Sequence, residues 1–254
     1  MQAPSPGSSF TELLDSLGNR PIWNVPPGEK PPSAPEGTTV LALRYGAGVV
    51  MAGDRRATEG NLVAHRRIRK VFPADKYSAI SIAGVAGLAT EMVRLFQVEL
   101  EHYEKIEGVR LSLEGQASFL ARLVRGQLPM AFQGLVVVPL FAGYDIREEK
   151  GRLFSYDAVG GRYEEIDFGS TGSGARLAKS YLRTVYRDDL TVDEASDYAV
   201  RALVAASQED TATGGPDLTR GIYPNVIRID SNGFFELEDS VVGPLAQQAV
   251  EAIR

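Results

Sequence analysis

The uneven distribution of proline most constrains what this chain can fold into. Eight of its 14 prolines fall within residues 1–37. Proline lacks a backbone N–H and has a fixed φ, so a segment this rich in proline forms neither a regular helix nor a central strand. We therefore expect residues 38–254 to form the folded domain. We expect the leader before them to be a propeptide, with a disordered tail as the alternative.

The composition indicates a soluble globular protein and argues against several functional classes. With 254 residues, 44% of them hydrophobic, the chain can bury a full core. The formal net charge of −6 argues against a nucleic-acid-binding protein. The lack of cysteine excludes thiol catalysis, disulfides and thiolate metal sites, and two histidines are too few for a histidine-rich metal site. We expect no metal and no cofactor.

No segment of the sequence predicts export or insertion into a membrane. The leader has no positively charged start followed by a long apolar core, as a signal peptide would. The longest apolar run, Leu135–Ala142, contains Pro139 and is too short to span a bilayer. Since the absence of cysteine also suits a reducing compartment, we expect a cytoplasmic protein.

Hydrophobic periodicity predicts groups of strands separated by pairs of helices. The predicted strands are Thr38–Arg44, Gly48–Gly53, Lys76–Ala83, Leu135–Asp145, Arg152–Asp157, Tyr163–Phe168, Asn225–Asp230 and Phe234–Glu238. The predicted helices are Leu88–Ile106, Leu113–Leu128, Ala175–Tyr186, Val192–Gln208 and a short C-terminal helix. Because paired helices separate the strand groups, we expect an α+β fold in which helix pairs cover antiparallel sheets.

The junction Gly37-Thr38-Thr39 suggests a particular chemistry. Thr38 lies where the proline-rich leader meets the first predicted strand. A threonine inside a chain is a poor nucleophile, but cleavage of the bond before it frees an α-amino group that can act as its base. The ordinary pKa of such an amine is about 7.7–8.0, which suits general base catalysis near neutral pH.

Asp54 and Lys70 are candidate partners for this threonine. A lysine would favour the neutral amine and a developing oxyanion, and a carboxylate would orient the lysine. Each residue also has an ordinary interpretation, because threonine is common in strands, aspartate in turns and lysine in exposed basic runs. Together the three residues make a self-processing N-terminal hydrolase the leading hypothesis. A phosphate-binding loop and the G-x-S-x-G elbow of serine hydrolases are both absent from the sequence.

Ordered motifs along the chain resemble the proteasome β subunits, in particular those of actinobacteria. They are Gly37-Thr38-Thr39-Val40, Met51-Ala52-Gly53-Asp54-Arg55-Arg56-Ala57-Thr58, Lys70-Val71-Phe72, Ile82-Ala83-Gly84, Thr171-Gly172-Ser173-Gly174 and Asp210-Thr211-Ala212-Thr213-Gly214-Gly215. The resemblance covers nearly all of residues 38–254. It implies the N-terminal nucleophile hydrolase fold, a four-layer αββα sandwich with two antiparallel sheets between helix pairs. It also implies autocleavage between Gly37 and Thr38.

The resemblance implies a role for each matching residue. Thr38 would be the nucleophile, Asp54 and Lys70 its supporting pair, and the Gly84 N–H the oxyanion donor. Around the amine and hydroxyl, hydrogen bonds would come from Ser173, Asp210 and Thr213, the last of which replaces a serine found in many members. The backbones of Thr58 and Ala86 would pair with an extended substrate.

The same resemblance places a small, uncharged set of residues near the pocket for the substrate residue before the cut. The set is Ala57, Ile68, Phe72, Ile82, Ala86 and Thr90. We therefore expect a preference for apolar residues there, with burial in the core as the alternative role for several of them.

The family also implies partners. They are proteasome α subunits and other β subunits in stacked heptameric rings, an ATPase ring acting through the α rings, and peptides or unfolded proteins as substrates. Three alternatives remain at the level of the sequence. They are a subunit of the simpler two-component bacterial peptidase, an inactive ring subunit, and a binding module in which Thr38 only begins a strand.

Overall fold

A computed structural model describes residues 38–59 and 62–253. The predicted propeptide, including Gly37, lies outside these residues. Strands and helices are numbered below in chain order. No helix within the described ranges is both long and apolar enough to cross a membrane.

Two five-stranded antiparallel sheets form the centre of the domain. The first has the spatial order β10-β1-β2-β11-β12 and consists of β1 (Thr39–Tyr45), β2 (Gly48–Gly53), β10 (Phe168–Gly172), β11 (Asn225–Asp230) and β12 (Gly233–Glu236). The second runs in sequence order through β5 (Val71–Asp75), β6 (Ser78–Gly84), β7 (Val137–Asp145), β8 (Lys150–Tyr156) and β9 (Arg162–Glu165). A separate two-stranded sheet pairs β3 (Ala57–Glu59) with β4 (Leu62–His65).

Helices cover the outer face of each five-stranded sheet. The helices are α1 (Ala86–Glu107), α2 (Leu113–Gly126), α3 (Leu128–Ala131), α4 (Ala175–Val185), α5 (Val192–Glu209) and α6 (Asp239–Glu251). Apolar residues of α4, α5 and α6 pack on the first sheet, and those of α1 and α2 pack on the second. A capping box begins α5, where Thr191 and Glu194 each accept a hydrogen bond from the other's backbone N–H.

Both faces of each sheet are buried, which produces three apolar layers. Along β1, Val40 and Ala42 face the second sheet, whereas Leu41 and Leu43 face the helices. Full burial of a valine or leucine side chain stabilises the folded state by about 1.5–3 kcal/mol. The predicted four-layer αββα sandwich with antiparallel sheets is therefore confirmed.

The sequence did not predict β3 and β4, and two strands of the five-stranded sheets, β5 and β10, were missed for identifiable reasons. Pro73 in β5 argues against a central strand, but β5 is an edge strand with an irregular register, where proline is tolerated. The predicted strand Tyr163–Phe168 is instead split between β9 and β10, which belong to different sheets. Periodicity does not show where a chain passes from one buried sheet to the next.

The sheets approach each other closely where Gly151 of β8 faces Gly48 of β2. A Cβ atom on Gly151 would lie 2.4 Å from the carbonyl oxygen of Gly48 and 2.8 Å from Cγ1 of Val49. Because the Gly48 carbonyl oxygen belongs to the backbone, a side chain at Gly151 fits only if one sheet moves away from the other. The spacing of the inner layer therefore depends on glycine at this position.

We expect Gly151→Val to lower the free energy of unfolding by about 1–3 kcal/mol, the usual cost of overpacking a core. Urea denaturation of the full-length chain measures this loss. Gly126→Ala is the control, because an added Cβ at this helical glycine meets nothing within 4 Å and alanine favours the helix. Wild-type stability of Gly151→Val would contradict the close packing described here.

Candidate active site

Thr38 immediately precedes β1 and is held by the end of β10. Its carbonyl oxygen accepts a hydrogen bond of 2.9 Å from the backbone N–H of Ser173. Gly172 has φ of +102°, and a Cβ at that position would lie 1.8 Å from the Thr38 carbonyl oxygen. Only glycine therefore allows β10 to approach the start of β1 so closely. Thr38 itself is buried, with 7% of its surface exposed.

Asp54, at the end of β2, organises one side of the site. Its Oδ1 accepts hydrogen bonds from Lys70 Nζ at 2.6 Å and from the Thr39 backbone N–H at 2.8 Å. Its Oδ2 accepts from the backbone N–H groups of Arg56 and Gly214, each at 2.9 Å. Four hydrogen-bond donors therefore surround a fully buried carboxylate.

Lys70 lies just before β5 and is almost completely buried against Asp54. Burial lowers the pKa of the Lys70 ammonium below its ordinary value, and the Asp54 carboxylate opposes part of that shift. A buried pair of this kind persists because each charge compensates the other. The predicted supporting pair is thus brought together, and Thr39, the residue after Thr38, bonds directly to its carboxylate.

Ser173, Asp210 and Thr213 form the other side of the site. The Ser173 hydroxyl donates to Asp210 Oδ2 at 2.6 Å, and the Thr213 hydroxyl donates to the same oxygen. Burial raises the pKa of Asp210, but these two bonds and the Ala212 N–H outweigh it, so the pKa lies below its ordinary value. Thr213 therefore reaches Asp210 despite having one methyl group more than serine. The Ser173 hydroxyl also lies 3.4 Å from the Thr38 carbonyl oxygen.

A cavity of about 400 Å³ opens beside Thr38. No charged side chain lines it; the lining residues are Thr38, Ala83, Gly84, Gly134, Val136, Val138, Thr171, Gly172 and Ser173. Gly84 has φ of +119°, and a Cβ there would lie 2.0 Å from the Val136 carbonyl oxygen. The structure thus brings Thr38 and the predicted oxyanion residue to the same cavity.

The predicted substrate-binding residues are not part of the lining of this cavity. None of Thr58, Ala86, Ala57, Ile68 and Ile82 lines this cavity. Ala57 and Thr58 are buried in β3, and Ile68 and Ala86 are half-buried. Ile82 belongs to the core between the second sheet and α1 and α2. Their assignment to substrate binding remains a prediction from the resemblance.

Two residues of the site were missed in the sequence. The Arg56 guanidinium donates to the carbonyl oxygens of Thr211 and Thr213, at 3.0 Å and 3.3 Å, and so ties their loop to Asp54. Thr39 contacts both sides of the site through its backbone and its hydroxyl. The only signal for either was its position next to a predicted site residue. In the part of the chain that the structure describes, no three acidic or histidine side chains are arranged to hold a metal ion.

The four-layer αββα sandwich with a threonine at the head of its first strand defines the class of N-terminal nucleophile hydrolases. A sequence model of the family described as proteasome subunit matches residues 34–217. A curated relative named proteasome subunit beta, from Acidothermus cellulolyticus, is 52% identical and the match covers 96% of this chain and 87% of the relative. Proteins of the same name from Streptomyces griseus and Acidimicrobium ferrooxidans are 51% and 50% identical, with 97% and 98% of this chain and 89% and 91% of those proteins covered. The chain therefore belongs to the proteasome subunit family, among its β subunits.

We expect Asp54→Asn to lower the free energy of unfolding by about 3–5 kcal/mol, because the buried Lys70 ammonium would then face a neutral amide. The double variant Asp54→Asn/Lys70→Met removes both charges and is expected to recover most of this loss. Urea denaturation of the full-length chains measures both effects. If the double variant were as unstable as the single one, the charge pair would not be the source of the loss.

Proposed function

We propose that this β subunit is a self-processing threonine endopeptidase in which residues 1–37 are a propeptide and 38–254 the catalytic domain. The observation that supports this most strongly is the bond from the Thr39 N–H to Asp54, whose carboxylate also binds the buried Lys70. The lysine–aspartate pair is thus bonded to the residue next to Thr38. Thr38 and Gly84 line the same cavity.

Processing begins with attack of the Thr38 hydroxyl on the carbonyl carbon of Gly37. The bond between the Gly37 carbonyl carbon and the Thr38 nitrogen breaks as that carbon forms an ester with the Thr38 oxygen. The nitrogen gains the hydroxyl proton and becomes a free amine. Water then hydrolyses the ester, which releases residues 1–37 with a new carboxyl end. Glycine before the cut gives the backbone the freedom that this attack requires.

The mature subunit uses the same atoms on substrates. The Thr38 amine takes the proton of the Thr38 hydroxyl as the oxygen attacks the substrate carbonyl. The backbone N–H of Gly84 stabilises the oxyanion, and the positive charge of Lys70, oriented by Asp54, favours the neutral amine. The amine returns its proton to the leaving nitrogen, and water hydrolyses the acyl-enzyme on Thr38.

As a member of the proteasome family, the chain is a subunit of a protease that assembles with α subunits and other β subunits. The finer proposal is a cytoplasmic particle of stacked heptameric rings with Thr38 inside a closed chamber. An ATPase ring acting through the α rings would supply unfolded or tagged proteins. The match to relatives named proteasome subunit beta over most of their length favours this function over the two-component peptidase.

We expect Thr38→Ala to abolish both processing and peptidase activity, because it removes the attacking oxygen. Intact mass spectrometry of particles assembled with the α partner should give residues 38–254 for wild type and the full-length chain for the variant. Thr38→Ser, which keeps a hydroxyl, is the matched control and should still be processed. A wild-type chain that stays full length in assembled particles would leave an inactive ring subunit or a binding module as the better interpretation.

We also expect wild-type particles to cleave fluorogenic peptides that end in tyrosine or leucine faster than those that end in arginine or lysine. The predicted pocket residues are small or apolar, and no charged side chain lines the cavity at Thr38, so a cationic residue would lose its hydration without a partner. Comparison of kcat/KM across such peptides measures the preference. Faster cleavage after basic residues would show that the specificity has another origin.

A further inference from the structure

Thr39, the first residue of β1, makes polar contacts through both its backbone and its hydroxyl. It is fully buried, and its backbone N–H and carbonyl oxygen both bond to Asp54, at 2.8 Å and 3.1 Å. Its hydroxyl accepts a bond of 2.9 Å from the backbone N–H of Gly174 and lies 2.5 Å from the hydroxyl of Thr213. Thr39 therefore joins the Asp54–Lys70 side of the site to the Asp210 side.

The direction of each hydrogen bond in this chain of hydroxyls follows from simple chemistry. An ionised carboxylate only accepts, so the Thr213 hydroxyl must donate its proton to Asp210. The short contact between the two threonines then requires Thr39 to be the donor. The Gly174 N–H can only donate, so the Thr39 oxygen accepts from it. The protons thus run one way, from Gly174 through Thr39 and Thr213 to Asp210, and each bond polarises the next.

Gly174 provides the space in which the two hydroxyls meet. A Cβ at this position would lie 2.5 Å from the Thr39 hydroxyl oxygen and 2.6 Å from that of Thr213. Gly174 has φ of −85°, a value that any residue adopts. Steric contact with the two hydroxyls, and not backbone conformation, is therefore what favours glycine here.

We propose that Thr39 is a positioning residue for the Thr38 nucleophile. Its buried hydroxyl ties the start of β1 through Thr213 to Asp210, the carboxylate that also binds Ser173. Because Thr38 and Thr39 share a peptide bond, a shift of Thr39 moves the nucleophile relative to Lys70 and Gly84. The proposal rests on the proposed function and extends it to a residue whose hydroxyl touches neither substrate nor the reacting atoms.

The test uses full-length chains assembled with the α partner, processed in the particle and assayed with an apolar fluorogenic peptide. Thr39→Val and Thr39→Ala remove the hydroxyl, and both should lower kcat by about 10- to 100-fold, the scale of a misplacement of about 1 Å. KM should change by no more than about twofold, because the contacts with bound substrate remain. Thr39→Ser restores the donor and should recover most of kcat.

Two further variants separate positioning from stability. Gly174→Ala changes no functional group but obstructs the two hydroxyls, and should reduce kcat as the Thr39 variants do. Ser170→Ala removes another buried hydroxyl that links β10 to β1, through a bond of 2.8 Å to the Val40 carbonyl oxygen. This control should lower the unfolding midpoint while kcat stays at the wild-type value.

The outcomes distinguish this proposal from the proposed function. Normal kcat in Thr39→Val and Thr39→Ala, with Thr38→Ala inactive, would overturn the positioning role and leave the peptidase intact. An inactive, unprocessed wild-type chain would overturn both. If Thr39→Val does not fold, the comparison of Thr39→Ser with Thr39→Ala decides, since equal kcat values in these two variants would also overturn the role.

Discussion

The site depends on the buried carboxylate of Asp54. Its four donors come from the first strand, the lysine before β5, the loop after β2 and the loop after α5. These donors lie between 2 and 160 positions from Asp54 in the chain, and one carboxylate sets their relative positions. The same carboxylate lies 2.6 Å from Lys70 Nζ, and its charge compensates the buried ammonium. The packing of these segments and the burial of Lys70 therefore depend on the same carboxylate.

Two glycines with positive φ allow close backbone packing around the cavity at Thr38. Gly172 lets the end of β10 lie against the carbonyl group of Thr38, and Gly84 lets the end of β6 lie against Val136. A side chain at either position would clash with backbone, at Gly172 with the Thr38 carbonyl oxygen and at Gly84 with that of Val136. The cavity thus forms where β10 of the first sheet and β6 of the second sheet both end in glycine. The packing of the four layers holds these two strand ends beside each other.

Much of the fold could be predicted because its strands and helices have strong local signals. The capping box at Thr191 and Glu194 and the boundaries of β2 and β11 agree with the pattern of residues. The edge strand β5 was missed because Pro73 is unfavourable in strands unless the neighbouring position is empty. The passage from β9 to β10 was missed because the pattern of residues does not show which sheet a strand joins.

The sequence by itself determined the antiparallel layered architecture, and it predicted a boundary after residue 37 and the candidate residues Thr38, Asp54 and Lys70. These follow from periodicity, proline content and ordered motifs, all of which are local in the chain. Only the tertiary structure decided that Thr39 bonds to both Asp54 and Thr213, and that Gly84 and Thr38 share a cavity. Such contacts join residues up to 174 positions apart, and hydrogen-bond direction depends on partners that no local pattern specifies.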